Sequence, residues 1–200
     1  YACARPILGA REEAEQRGTP YQIGSLKQVT SSGVMWSQEI KQGLLRHHDM
    51  VLADVMGSTE GGMGSSVMTR EATASTAKFE LNEGVAVITD DDRFVQPGSG
   101  EMGKVATSAF VPLGYYKDPQ KSAATFREVG GVRYSFPGDY ATVEPDGSIT
   151  LLGRGSVCIN TGGEKVFPEE VEEAVKRHEL VEDCLVVGLP DERFGERVVA

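Results

Sequence analysis

Apolar residues recur at helical spacing early in the chain, at strand spacing through its middle, and in short mixed runs toward its end. Residues 6–17 read as a helix. Pro6 suits a first turn, Glu12, Glu13 and Glu15 are polar, and Gly18 stands where the helix should stop. Leu26 to Thr30 is a short strand running into Ser31-Ser32-Gly33. Ser37 is placed to cap a second helix that buries Ile40, Leu44 and Leu45 and reaches about His48. Met50-Val51-Leu52-Ala53 follows as a buried strand, with a glycine-rich loop from Gly57 to Gly64 at its carboxyl end. Strand, helix, strand in that order predicts a parallel α/β layer, whose ligands gather beyond the carboxyl ends of the strands.

After about Thr69 the pattern changes to short β-type runs split by turn chemistry, lasting from Lys78 to Leu152. Val85 to Thr89, Arg93 to Val95 and Val105 to Phe110 are such runs, and Pro145-Asp146-Gly147 joins Tyr140–Val143 to Ile149–Leu152. A helix over about Pro119 to Phe126 interrupts this small β-rich part. A third region opens near Gly153-Arg154-Gly155. Val157 to Asn160 and Lys165 to Phe167 read as a hairpin around Gly162-Gly163. Pro168 starts a helix with Val171, Ala174 and Val175 on one side and a Glu172–Lys176 pair on the other. Leu185 to Gly188 is a buried strand. The fold class is α/β: residues 1–70 form an α/β part, 71–154 a β-rich subdomain, and 155–200 the start of an incomplete α+β unit.

Composition narrows the functions open to this chain. Hydrophobic residues make up 40% of its 200 positions, enough to bury a core. Thirty acidic against twenty basic residues leave a net charge of −10, which argues against nucleic-acid binding. An anionic ligand would have to be met locally, by backbone N–H groups, Mg²⁺ and a few cations. Cys3, Cys158 and Cys184 form neither a CxxC pair nor a ligand-spaced cluster with the histidines, so a reducing cytoplasm fits better than a zinc site or disulfides. His47-His48-Asp49 reads as an exposed helix end, because adjacent histidines point in different directions. The chain contains no apolar run near the roughly 18 residues of a membrane span and does not open on a signal peptide. Peripheral membrane contact and oligomeric state are left open. Tyr1 in place of Met, and an ending inside the apolar run before Ala200, predict a piece of a longer protein.

Five places along the chain are candidates for chemistry. Gly98 to Gly103 matches GxGxxG, but β-like Lys104 to Thr107 follows where a dinucleotide site needs a helix, so that match is discounted. In Met56-Gly57-Ser58-Thr59-Glu60-Gly61-Gly62 the glycines allow close backbone approach, Thr59 offers a hydroxyl to a phosphate, and Glu60 is a hard oxygen ligand of the kind Mg²⁺ accepts. A polar surface loop is the alternative for those residues taken alone. Phe136-Pro137-Gly138-Asp139 sets a carboxylate at a strand start, where it can accept from both hydroxyls of a ribose or merely stabilise the turn. Arg154 lies fifteen positions on, across a hairpin able to bring the two together; a surface ion pair is its alternative. Thr161-Gly162-Gly163-Glu164-Lys165 reads only as a tight turn.

Together, in this order and spacing, these stretches resemble the adenylate-forming superfamily of acyl-CoA synthetases, peptide-synthetase adenylation domains and luciferases. The resemblance runs from about Gln28 onward, and Gly153 through Glu172 is most similar to bacterial fatty-acid–CoA ligases. It implies the C-terminal portion of a large AMP-binding domain over 1–154 and the start of a small C-terminal domain over 155–200. Ser32, Gly33 and Val34 then match the segment against adenine, with Met56 and Gly57 beside it. Thr59 matches the phosphate- and carboxylate-binding hydroxyl and Glu60 the Mg²⁺ ligand. Asp139 matches the ribose-binding residue, with Arg154 close by. Gly155 and Ser156 fall at the interdomain hinge, and Gly162, Gly163 and Glu164 in the loop lining the coenzyme A channel. Glu101 and Gly103 look structural. The implied activity is conversion of a fatty acid, with ATP, to acyl-AMP and then to the coenzyme A thioester. An acyl-AMP ligase that loads a carrier protein, or a non-catalytic nucleotide-binding relative, would share most of these residues. Met56 departs from the usual aromatic and Ser156 from the usual Asp or Lys. The phosphate loop and acyl pocket would precede Tyr1, and the adenylation lysine would follow Ala200.

Overall fold

The computed structural model describes residues 4–33, 36–72, 75, 77–178 and 180–200. Cys3 and Val34 lie outside the described residues. Helix α1 (Ala4–Gln16) gives way to Gly18, whose φ of 71° turns the chain toward β1 (Gln28–Ser32). Helix α2 (Gln38–His47) then leads to β2 (Val51–Ser58), which pairs parallel with β1 from Gln28–Val51 to Ser32–Val55. This is the parallel layer expected from the sequence. Trp36, Ile40, Leu44 and Leu52 form its core together with Ala4 of α1. Ser37 opens α2 through its carbonyl, which accepts from the Lys41 N–H at 3.2 Å, while its side chain makes no capping bond.

The stretch expected as a glycine-rich loop is instead a hairpin. Strand β2 runs through Gly57 to Ser58, turns at Thr59-Glu60, and returns antiparallel as β3 (Gly61–Met68). The glycines serve strand packing: a Cβ on Gly64 would stand 2.6 Å from the Glu80 carbonyl oxygen. Met63 is the extra residue where the register shifts past Met56, and it is wholly buried beside Met56 and Phe79.

Strand β4 (Lys78–Leu81) pairs with β3 and carries the sheet onward. The β-rich part adds β5 (Val85–Ile88), β6 (Met102–Thr107), α3 (Pro119–Thr125), β7 (Phe126–Val129), β8 (Val132–Ser135), β9 (Asp139–Val143) and β10 (Ile149–Arg154). Among the described residues the strands follow one path, β1-β2-β3-β4-β10-β9-β6-β8-β7, with β5 on β6. Arg93 to Val95 makes only a bridge from Phe94 to Ile88 rather than the expected strand. Gly98 to Gly103 leads into β6, a strand, as the rejected dinucleotide match required. Asp118 caps α3, accepting from the Lys121 N–H at 2.9 Å.

Beyond Arg154 a tight 3₁₀ turn, Gly155–Val157, leads to a second sheet. It comprises β11 (Ile159–Thr161), β12 (Glu164–Val166), β13 (Val187–Asp191) and β14 (Gly195–Val199), in the order β12-β11-β14-β13, with helix α4 (Pro168–Val175) after β12. The strand expected at Leu185 begins at Val187, because β14 sets the pairing from Val187–Val199 to Asp191–Gly195. Leu185 is left exposed and Val186 buried. Glu172 does not pair with Lys176. Its Oε1 accepts from the Val186 N–H at 2.9 Å, while Lys176 Nζ lies 3.6 Å from Glu173. The second part packs on the first through Phe167, whose ring lies 5.7 Å from that of Tyr140. A Cβ on Gly155 would meet Tyr140 Cε2 at 2.6 Å, so close packing, not a left-handed φ, is what requires glycine there.

Candidate functional site

Several segments distant in the chain meet at a cavity of about 220 Å³. Gly33 comes from the end of β1, Met56 and Gly57 from β2, and Asp139, Gly153 and Arg154 from the paired ends of β9 and β10. Gly138, at a φ of 104°, swings the chain so that β9 starts at Asp139. The β9–β10 ladder places Arg154 directly opposite Asp139, after a one-residue bulge at Leu152. Arg154 Nε donates to Asp139 Oδ1 at 3.3 Å. Five residues expected at a nucleotide therefore line one cavity: Gly33, Met56, Gly57, Asp139 and Arg154. Ser32 sits exposed at the strand end beside it, and Val34 is outside the described residues.

The cavity wall is acidic and desolvated. Burial pushes the Asp139 carboxyl above its ordinary value, with Arg154 opposing the rise and Glu60 adding to it. In the same wall, Asp54 on β2 is buried and 3.2 Å from Lys41 Nζ, which is 2% exposed. Burial raises the Asp54 carboxyl too, while Lys41 and the Trp36 backbone N–H hold it down. Glu169, from the first turn of α4, closes the cavity and was not singled out by sequence. Its Oε2 is buried without a hydrogen-bond partner and lies 2.5 Å from where a Cβ on Gly153 would stand. Burial is the main cause of its raised carboxyl value, and Glu172 and Asp139 add to it.

Thr59 and Glu60 stand apart, on the β2–β3 turn, and do not line the cavity. Glu60 accepts a hydrogen bond from the Tyr115 phenol, and its backbone N–H donates to Ser58 Oγ at 3.2 Å. Tyr115 chiefly holds the Glu60 carboxyl down at about 2, with burial opposing and the Ser58 and Thr59 hydroxyls helping. Glu60 is therefore an ionised hard oxygen donor at neutral pH, which suits a magnesium ion that takes one or two carboxylates beside nucleotide phosphates. Among the described residues there is no cluster of three or more His, Cys, Asp or Glu able to hold a metal alone. His47 and His48 instead bond to Glu15 at 3.1 Å and to the Leu26 carbonyl at 2.9 Å. Glu101 pairs with Arg93 at 2.8 Å, and a Cβ on Gly103 would meet the Ile88 carbonyl oxygen at 2.8 Å, so both are structural.

Gly162 and Gly163 adopt φ of 60° and 89° in the turn between β11 and β12, with the Gly162 N–H bonded to the Phe194 carbonyl at 2.9 Å. They and Glu164 are exposed and lie outside the cavity. Ser156 lies within the Gly155–Val157 turn, which closes through Cys158 N–H to the Gly155 carbonyl at 3.3 Å.

This architecture is that of the adenylate-forming enzymes. The anthranilate CoA ligase AuaEII in complex with anthranoyl-AMP superposes with a TM-score of 0.74 at 24% identity, covering 89% of this chain and 34% of that one. ATP-bound MatB from Rhodopseudomonas palustris gives 0.68 at 22% identity, covering 84% of this chain and 33% of its own. In sequence, the chain is 48% identical to 3-oxocholest-4-en-26-oate–CoA ligase of Rhodococcus rhodochrous, over 100% of this chain and 37% of that protein. It is 45% identical, over the same shares, to a medium/long-chain-fatty-acid–CoA/3-oxocholest-4-en-26-oate–CoA ligase of Mycolicibacterium smegmatis. The AMP-binding enzyme C-terminal domain family matches residues 170–200. The chain belongs to the adenylate-forming, AMP-binding superfamily, and it spans about 37% of the length of these curated relatives. Among the described residues no helix is long and apolar enough to cross a membrane.

Proposed function

We propose that this chain forms the nucleotide-facing and C-terminal part of an ATP-dependent acid–CoA ligase acting on a fatty or steroid-side-chain carboxylate. The observation that carries the reading is the convergence of Gly33, Met56, Gly57, Asp139 and Arg154 on one cavity. Identity with CoA ligases across the whole chain supports the same reading. In it, residues 1–154 belong to the large domain and 155–200 to the small one.

Gly33 and Met56 flank the adenine, Asp139 accepts from the ribose hydroxyls, and Arg154 holds Asp139 in place. A carboxylate oxygen of the acid attacks the α-phosphorus of ATP while the bond to the β-phosphate breaks, releasing pyrophosphate. The acid is already an anion, so positioning and charge stabilisation supply most of the catalysis. Thr59 offers its hydroxyl to the α-phosphate, and Glu60 would hold a magnesium ion that neutralises phosphate charge. The coenzyme A thiolate then attacks the acyl carbon and AMP leaves. Movement of the small domain about Gly155 and Ser156 brings the Gly162-Gly163-Glu164 turn to line the thiol's path.

The test uses the full-length protein, a long-chain fatty acid, and two assays: ATP–pyrophosphate exchange and coenzyme A-dependent AMP release. Wild type should support both. Glu60→Ala should abolish exchange, and Gly163→Trp should block AMP release while sparing exchange. Normal exchange in Glu60→Ala removes Glu60 from the reaction, and equal loss of both activities in Gly163→Trp removes the turn from the thiol's path.

A further inference from the structure

Tyr115 has no place in the sequence motifs, yet its phenol donates to Glu60, 55 positions earlier in the chain. Its loop is fastened at both ends. Arg133 holds the start, donating to the Pro112 and Leu113 carbonyls at 2.7 and 3.0 Å. The far end folds onto α3, where the Tyr115 N–H donates to Ser122 Oγ at 2.8 Å. The ring packs against Phe126 at 5.3 Å, with Lys121 Nζ 4.3 Å from its centre. Neighbouring Tyr116 is 88% exposed, so only one of the two tyrosines is built into the fold.

Glu60, by contrast, sits on a two-residue turn, where its nearest other partners are the hydroxyls of Ser58 and Thr59 on the same turn. A phenol has one proton to donate. Given to Oε1, it fixes that oxygen, while among the described residues Oε2 accepts no hydrogen bond of 3.5 Å or less. Ligands of metal ions are commonly oriented by such outer partners.

We infer that Tyr115 is a positioning residue for Glu60, holding one carboxylate oxygen so that the other is presented to the divalent cation that accompanies the nucleotide. This rests on the proposed role of Glu60 as the cation's ligand. It also ties the turn of the α/β layer to the β-rich part, so the cation site depends on both.

The experiment measures Mn²⁺ binding to the full-length protein by electron paramagnetic resonance, with a non-hydrolysable ATP analogue at saturation. Tyr115→Phe removes only the hydroxyl, and it should weaken Mn²⁺ by about 10- to 100-fold while leaving metal-free binding of the analogue unchanged. Ser122→Ala, which keeps the phenol but loosens its loop, should give a smaller shift in the same direction. In a Glu60→Gln background Tyr115→Phe should add nothing. Unaltered Mn²⁺ binding in Tyr115→Phe, with Glu60→Gln weakened, overturns the positioning role alone. Unaltered binding in Glu60→Gln overturns the reading of Glu60 beneath it. A Tyr115→Phe loss that persists in the Glu60→Gln background shows a general effect on the fold and also overturns the inference. Thermal midpoints of all variants identify any that fail to fold.

Discussion

The cavity wall and the β2–β3 turn both present carboxylates, and their surroundings push those carboxylates in opposite directions. On the wall, Asp54, Asp139 and Glu169 are all raised, and burial is the leading cause each time. On the turn, Glu60 is lowered to about 2 by a hydrogen bond from Tyr115. The wall is a desolvated frame in which Lys41 faces Asp54 and Arg154 faces Asp139, while one oxygen of Glu169 has no partner. The turn keeps its charge at any physiological pH. A frame that discourages free charge suits a neutral base and sugar, whereas a permanently ionised turn suits a cation and its phosphates.

The largest break of this contrast comes from removing the cation beneath the wall. Lys41→Met keeps the side chain's length and leaves Asp54 buried and unpaired, which should cost about 3–5 kcal/mol in denaturant unfolding at neutral pH. The sign with pH follows from linkage. Without Lys41 the Asp54 carboxyl rises further above its unfolded value, so the native state binds that proton more tightly than the unfolded chain. The deficit should be full near neutrality and shrink as pH falls through the raised value. A deficit that stays constant into acid would mean that lost packing, not the unpaired charge, is responsible.

How much of this was legible in the sequence depended on how far apart the partners lie. Asp139 and Arg154 sit on neighbouring strands joined by Pro145-Asp146-Gly147, and a short hairpin fixes its own register, so their meeting could be anticipated. Strand β3 could not, because Gly57 to Gly64 reads as a loop until Glu80 is seen pressed against Gly64. Tyr115 lies 55 positions from Glu60, and no periodicity links an irregular loop to a distant turn. Glu169 enters the cavity only through the seating of Phe167 on Tyr140, a contact between two sheets that local pattern does not encode. Where sequence and structure disagree on element ends, as at Leu185, strand pairing from β14 outweighs local apolarity.

A smaller effect, of opposite sign, tests the wall from its other side. Glu169 holds a buried oxygen without a partner, so Glu169→Gln removes a charge that the native state accommodates poorly. Because the residue is only partly buried, the expected gain is modest, about 0.5–1 kcal/mol at pH 7. The folded carboxyl lies above its unfolded value, so the advantage should fade as pH drops and both states of the wild type become protonated. Destabilisation by Glu169→Gln at pH 7 would show that the ionised carboxylate is held by something other than what lines the cavity.

The smallest effect belongs to the turn, and its sign completes the contrast. Glu60→Gln keeps a carbonyl oxygen for the Tyr115 phenol but gives up the charge that strengthens that bond. At a half-exposed position the loss should not exceed about 0.5 kcal/mol. The folded Glu60 carboxyl lies below its ordinary value of 4.5, so its contribution is present above that pH and is lost as pH falls toward about 2. Wild type and Glu60→Gln should therefore converge in acid from the opposite side to wild type and Glu169→Gln. If both glutamines stabilise at pH 7, the turn is as poorly solvated as the wall. The division between a neutral-ligand frame and a cation-bearing turn would then have to be given up.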